Sequence, residues 1–163
     1  MTYGLRELDG RLAELCDECG FDGRDEYDPA ERLAAGYAAL AVLAGHEDAH
    51  RRPAAETWSG AEYAEHVVSI TAGILGGCHR ALGLPAPGPM DDLAAAAAAA
   101  RTLAERLDGA QGSVAVDMWP FPATVDAALM HLLHDLEHHV LDVRRGLAVL
   151  GLERGTEIVT TRR

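Results

Sequence analysis

Lysine is absent from this chain, since all 14 of its basic residues are arginine. They are outnumbered by 26 acidic residues, which gives a formal net charge of −12 at pH 7. A protein that binds a nucleic-acid backbone needs clustered cations to displace counterions from the phosphates. The charge balance therefore predicts no nucleic-acid partner.

Long apolar runs are missing as well, and no stretch reaches the length of a membrane span. The N-terminal sequence "MTYGLRELDG" lacks the basic-then-apolar arrangement of a secretion signal. We therefore expect a cytoplasmic protein with no membrane partner. Its 163 residues, 48% of them hydrophobic, are enough for one domain with one buried core.

Four stretches combine a helix start signal with apolar residues at helical spacing. The first three open with N-cap residues, at Asp28, at Ser59 and at Asp91 or Asp92. The fourth begins near Thr124, after a segment punctuated by glycine and proline. No alternating pattern indicates strands, apart from a short "TEIVT" near the C-terminus. Four amphipathic helices predict an all-α protein with a four-helix bundle.

The bundle is expected to cover residues 28–152, with the fourth helix ending at about Leu150. An N-terminal extension, residues 1–27, precedes it and a C-terminal tail, residues 153–163, follows it. Within the extension, "LRELDGRLAELC" predicts a short helix followed by a loop.

The fourth helix contains "HLLHDLEHHVLD" (131–142), in which seven of twelve side chains are histidine, aspartate or glutamate. A helix turns about 100° per residue, so the position of each side chain around its axis can be calculated. The most obvious ligand pair, His134 and His138, lies nearly opposite the apolar stripe and is expected to face solvent. The same is expected of His131 and Glu137.

Asp135 and His139 instead lie on the shoulder of the apolar stripe, four residues apart, so their side chains can converge on one ion. His66 has a similar shoulder position on the second helix. Three protein ligands that leave coordination positions open are typical of a catalytic metal site. Imidazole and carboxylate ligands suit Zn²⁺, Fe²⁺ or Ni²⁺ and do not distinguish them. The alternative is a hydrogen-bonded surface pair of Asp135 and His139.

Three cysteines are an odd and sparse set, typical of reduced thiols rather than of a disulfide framework. Cys16 and Cys19, in "CDECGFD", resemble half of a zinc knuckle, and His46 and His50 could supply the other half. Those histidines point away from the apolar face of the first helix, so a reduced cysteine pair in the extension is the preferred interpretation. Cys78 has the position of a core residue.

Two sequence blocks resemble the DinB-like family of small four-helix metalloproteins, over roughly residues 28–150. The block "WSGAEYAEHVVSI" is similar to the family's Trp-Ser/Thr block, which ends in the first metal-binding histidine, here His66. The block "HDLEHHVLDVRRGL" is similar to its His-x-x-His-His block, in which the first and last histidines bind metal. Aligning the double histidine places Asp135 and His139 at these positions, the two residues that the helix geometry also selects. 

The sequence "DLEHHVLD" is also similar to the Glu-x-x-x-His form of the mycothiol-dependent maleylpyruvate isomerases, with Asp135 in place of the glutamate. In that form an aspartate follows three residues after the histidine, which corresponds to Asp142. Asp142 could orient a ligand imidazole, or it could pair with Arg145 on the surface.

The resemblance implies an up-down-down-up bundle with a divalent metal between the second and fourth helices, zinc first, with nickel or iron as alternatives. It also implies metal-dependent thiol S-transferase or isomerase chemistry, with a low-molecular-weight thiol such as mycothiol and a small electrophilic substrate. The alternative function is a non-catalytic bundle that binds metal or ligand, for example a stress-related sensor. A homodimer is left open.

Overall fold

The computed structural model describes residues 4–8 and 10–160, with the backbone alone at 11 and 153–160. This part of the chain is mostly helical, and it also contains two small antiparallel sheets. The elements, in chain order, are β1 (Leu5–Leu8), β2 (Arg11–Glu14), α1 (Pro29–Ala44), α2 (Gly60–Ala81), α3 (Leu93–Arg106), α4 (Gly109–Gly112), β3 (Ala115–Val116), β4 (Ala123–Thr124) and α5 (Val125–Thr160). The predicted helical character is confirmed, but the chain is not all-α.

Three of the four long helices begin at the predicted capping residues. The Asp28 side chain accepts hydrogen bonds from the first backbone amides of α1, which begins with Pro29. At the start of α2, Ser59 and Glu62 form a reciprocal capping box. Asp92 caps α3. Each cap satisfies amides that have no partner within the helix, which fixes where the helix begins.

The last helix is longer than predicted. α5 continues to Thr160, past the expected end at Leu150, so "TEIVT" is helical and the strand considered there was wrong. No proline interrupts this stretch, and glycine inside a helix costs only about 1 kcal/mol relative to alanine.

The N-terminal segment is a β-hairpin, and the short helix predicted for it was wrong. β1 and β2 pair antiparallel, with Leu8 opposite Arg11. Gly10 has φ of +80°, a left-handed conformation that glycine adopts without steric cost and that breaks a helix. The sequence Asp-Gly at this point is typical of a two-residue hairpin connection.

The four long helices enclose one core. α1 and α2 each pack against both α3 and α5, and β2 packs against α5 from the other side. The largest fully buried apolar side chains come from the helices: Leu33, Leu40, Leu75, Leu132, Leu133 and Leu136. Because β2 covers α5 from outside, α5 has neighbours both on its apolar stripe and on part of its polar face. None of the described helices is long and apolar enough to cross a membrane.

Candidate metal centre

The three residues predicted to bind metal lie together between α2 and α5. His66, Asp135 and His139 each offer a ligand atom within 4.8 Å of the other two. Nε2 of His66 lies 3.9 Å from Oδ2 of Asp135, and Nε2 of His139 lies 3.5 Å from Oδ1 of the same carboxylate. Two ligand atoms held tetrahedrally about 2.1 Å from one ion are about 3.4 Å apart. The carboxylate–imidazole distances are close to this spacing, so the group could hold a metal ion after a local adjustment of the side chains.

Asp135 is buried, and one of its carboxylate oxygens does not take part in hydrogen bonding with the described residues. Within the part of the chain that the structure describes, Oδ2 has no hydrogen-bond partner. Burial raises the pKa of this carboxyl, but the hydrogen bond and charge of His139 and the charge of His66 outweigh burial and lower it. A buried, ionised oxygen without a partner is costly, and a cation at this point would remove the cost.

The imidazole of His139 is held from its far side by Asp142. Nδ1 of His139 lies 3.0 Å from Oδ2 of Asp142. An acceptor in this position fixes the tautomer and would direct Nε2 toward a bound ion. Burial lowers the pKa of His139, yet the Asp135 and Asp142 carboxylates together raise it to about 9. Without a metal, His139 is therefore a cation at neutral pH.

The group is open on the side of His66. The His66 side chain is 29% exposed, whereas that of Asp135 is 9% exposed. Burial and the nearby His139 lower the pKa of His66, although the Asp135 charge opposes this shift. The Trp58 ring lies 5.1 Å from the His66 ring, and the Tyr63 ring lies 4.9 Å from the His139 ring. Two aromatic side chains thus stand beside the accessible edge.

The expectation that His134 and His138 face solvent was wrong. His134 is fully buried, and the His138 side chain is 14% exposed. They do lie away from the helical core, as the helix geometry predicted, but the segment after β2 covers them. The Phe21 ring stacks on His134 with 4.9 Å between centroids.

His131 and Glu137, also predicted to be solvated, have specific partners. Buried Glu14 accepts hydrogen bonds from Nδ1 of His131 at 2.7 Å and from Nδ1 of His134 at 2.6 Å. Burial alone would raise the pKa of Glu14, but these two histidines lower it. Glu137 forms a two-pronged ion pair with Arg32, at 2.6 and 2.8 Å.

The same covering segment contains the cysteine pair. Cys16 and Cys19 join His134 and His138 in a second group whose ligand atoms all lie within 4.8 Å of one another. His46 and His50, the histidines first considered for these cysteines, are not in this group. The expected core position of Cys78 is confirmed, as it is fully buried.

The two thiols of the pair differ in acidity. Burial raises the pKa of Cys16, but backbone hydrogen bonds and His134 lower it to about 6. Burial and the neighbouring Cys16 raise the pKa of Cys19 to about 11. One sequence signal could have found the second group, since Cys-x₂-Cys and His-x₃-His are ligand spacings of Cys₂His₂ zinc sites.

No protein-family model, no curated protein and no solved structure matches this chain. 

Proposed function

We propose that this protein is a metal-dependent thiol S-transferase or isomerase of the DinB-like type. Its substrates would be a low-molecular-weight thiol such as mycothiol and a small electrophile. The convergence of His66, Asp135 and His139 at an accessible edge is the observation that carries this proposal. The two sequence blocks that resemble the DinB-like family contain these residues, and the packing of α1 and α2 against α3 and α5 is compatible with an up-down-down-up bundle.

The donor set fits a divalent ion. Two imidazoles and one carboxylate are ligands of catalytic zinc, and nickel or iron are alternatives. The oxygen Oδ2 of Asp135, buried without a hydrogen-bond partner among the described residues, is where a cation would be stabilised. A bound ion would supply a Lewis acid that lowers the pKa of a thiol, so that thiolate is available at neutral pH.

The residues of the chain would bind the ion, orient the His139 ring and flank the substrate. His66 and His139 would present neutral Nε2 atoms, and Asp142 would hold the His139 ring in place through Nδ1. Trp58 and Tyr63 would flank the entering substrate with apolar surface. In the transfer, the thiol sulfur forms a bond to the electrophilic carbon, the leaving group departs with its bonding electron pair, and the thiol proton passes to water.

Two measurements test this function. The first compares the zinc content of the purified wild type with that of His66→Ala, using exposed His50→Ala as the matched control. The second follows conjugation of mycothiol to monochlorobimane by fluorescence. We expect His66→Ala to lose one equivalent of metal and to lower the transfer rate at least about 100-fold, with His50→Ala unchanged.

Two other outcomes would change the conclusion. Loss of metal in His66→Ala, together with no transfer by the metal-loaded wild type to several electrophiles, would support the non-catalytic binding protein instead. Full metal content in His66→Ala would contradict the three-ligand centre itself.

A further inference from the structure

We propose that the protein has a second metal site, in which two thiolates and two imidazoles bind one structural zinc ion: Cys16, Cys19, His134 and His138. This site shares no ligand with the proposed thiol-transfer centre, and it stands or falls independently of that function. The four side chains come from two parts of the chain more than 100 residues apart, and their ligand atoms all lie within 4.8 Å of one another.

The distance between Cys16 and His138 fits a tetrahedral zinc ion, and all four ligand atoms lie within 4.8 Å of one another. Zn–S and Zn–N bonds of about 2.3 and 2.1 Å at the tetrahedral angle put the sulfur and nitrogen about 3.6 Å apart. Sγ of Cys16 and Nδ1 of His138 are 3.5 Å apart. The sequence separations, Cys-x₂-Cys and His-x₃-His, also agree with those of Cys₂His₂ sites.

The turn after β2 is shaped to hold two thiolates. Cys16 donates its backbone amide to the Phe21 carbonyl, and Gly20 donates to the Cys16 carbonyl, each at 3.0 Å. Gly20 closes the turn with φ of +76°. The backbone amides of Glu18 and Cys19 hydrogen bond to the Cys16 sulfur, and that of Phe21 to the Cys19 sulfur. Amide donors aimed at sulfur stabilise the thiolate that zinc requires.

The histidine side of the site is oriented by a buried carboxylate. Glu14, at the end of β2, is fully buried and accepts the hydrogen bond from Nδ1 of His134 at 2.6 Å. This contact assigns Nε2 of His134 as the ligand nitrogen, in the carboxylate–histidine–metal arrangement common at zinc sites. Phe21 stacks on the ring and restricts its rotation.

The site is closed, which assigns it a structural role. Four protein ligands fill a tetrahedral ion and leave no position for substrate. Cys16 is 4% exposed and His134 is fully buried. The ion would join the segment that follows the N-terminal hairpin to α5, on the face of α5 next to the one that carries Asp135 and His139.

The experiment uses the full-length reduced protein loaded with zinc or with cobalt. We expect Cys16→Ser to lose one equivalent of zinc that His66→Ala retains, and Cys78→Ala, a buried cysteine outside the site, to retain the wild-type amount. Cobalt in the wild type should give an intense thiolate-to-metal charge-transfer band that Cys16→Ser loses. A wild type whose only zinc is the equivalent removed by His66→Ala, with no such band, would overturn the site.

A measurement on the wild type alone covers the case in which Cys16→Ser does not fold. Alkylation of Cys16 and Cys19 by iodoacetamide, followed by mass spectrometry, should be at least tenfold slower in zinc-loaded protein than after chelation. Equal rates in the two states would contradict the proposal, as would oxidation of the pair to a disulfide at the same rate with and without zinc.

Discussion

Two neighbouring faces of α5 carry the same pattern, a pair of potential ligands four residues apart, yet their surroundings differ. Asp135 and His139 face α2, where His66 completes a group that is 29% exposed at that histidine. His134 and His138, each one residue earlier, face the hairpin segment and are covered by it. Spacing along a helix thus determines only that two side chains can meet. The element packed on that face determines which ligands join them and whether solvent reaches the site.

The types of ligand also differ between the two faces. The α2 side (His66, Asp135 and His139) offers two imidazoles and one carboxylate, one ligand fewer than a tetrahedral ion takes, while the hairpin side (Cys16, Cys19, His134 and His138) offers two sulfurs and two imidazoles, enough for all four positions.

The hairpin side depends on the buried carboxylate of Glu14. In metal-free protein, Glu14→Gln removes the charge that two histidines share and should lower the free energy of unfolding by about 3–5 kcal/mol. Urea denaturation measures this loss. Glu105→Gln, which breaks the exposed pair with Arg101, is the control and should cost under about 0.5 kcal/mol. Equal losses would mean that Glu14 does not hold the hairpin to α5.

The α2 side depends on the orientation of His139. Asp142→Asn should weaken zinc binding at that centre by about 10–100-fold, because the acceptor at Nδ1 loses its charge. Competition with a chromophoric chelator measures the affinity, and exposed Glu65→Gln is the control. The zinc bound by the cysteines should remain. A parallel loss at both sites would show that the two faces are not independent.

The α2 side should also respond to pH when metal is absent. The pKa of His139 rises from 6.5 to about 9 in the folded chain, so its protonated form stabilises the fold. This contribution is complete below about pH 6.5 and is lost as pH rises through about 9. The melting temperature of chelator-treated protein should fall over this range, and His139→Gln should flatten the fall. An unchanged slope in His139→Gln would assign the pH dependence to other groups.

The ion pair at the outer edge of the hairpin side should contribute least to the free energy of unfolding. Arg32 pairs with Glu137 through side chains that are 29% and 28% exposed, and its guanidinium lies 4.9 Å from the Phe21 ring centroid. Arg32→Ala should therefore cost only about 1 kcal/mol in urea denaturation. Arg101→Ala, in an exposed pair without an aromatic neighbour, should cost less. A loss as large as that of Glu14→Gln would mean that Arg32 contributes as much as Glu14 to holding the hairpin segment against α5.

The sequence was informative where the interactions are local. Capping residues located the starts of α1, α2 and α3, and the geometry of one helix selected Asp135 and His139 as a converging pair. Both inferences use contacts within a few residues along the chain. The position of His66 needed only that α2 and α5 pack side by side.

The hairpin side was missed because its contacts join distant parts of the chain. The helical wheel placed His134 opposite the apolar stripe correctly, but it contains no information about a segment 120 residues away in sequence that covers this face. A helix over "LRELDGRLAELC" would not place the segment after it against this face of α5. The Asp-Gly pair is the local signal in the sequence for a hairpin at this point.

The two proposed ligand pairs on α5, His134 with His138 and Asp135 with His139, overlap along the sequence. This overlap restricts where residues can be inserted into or deleted from the helix. Inserting or deleting one residue between Asp135 and His138 turns everything that follows by about 100° relative to what precedes it. His138 and His139 would both move away from the other ligands of their groups, so one insertion or deletion would disable both proposed sites. The same change after Leu150 would leave all four α5 ligands in register with one another. Length variation in α5 should therefore be tolerated near its C-terminal end and excluded from the short stretch where the two pairs overlap.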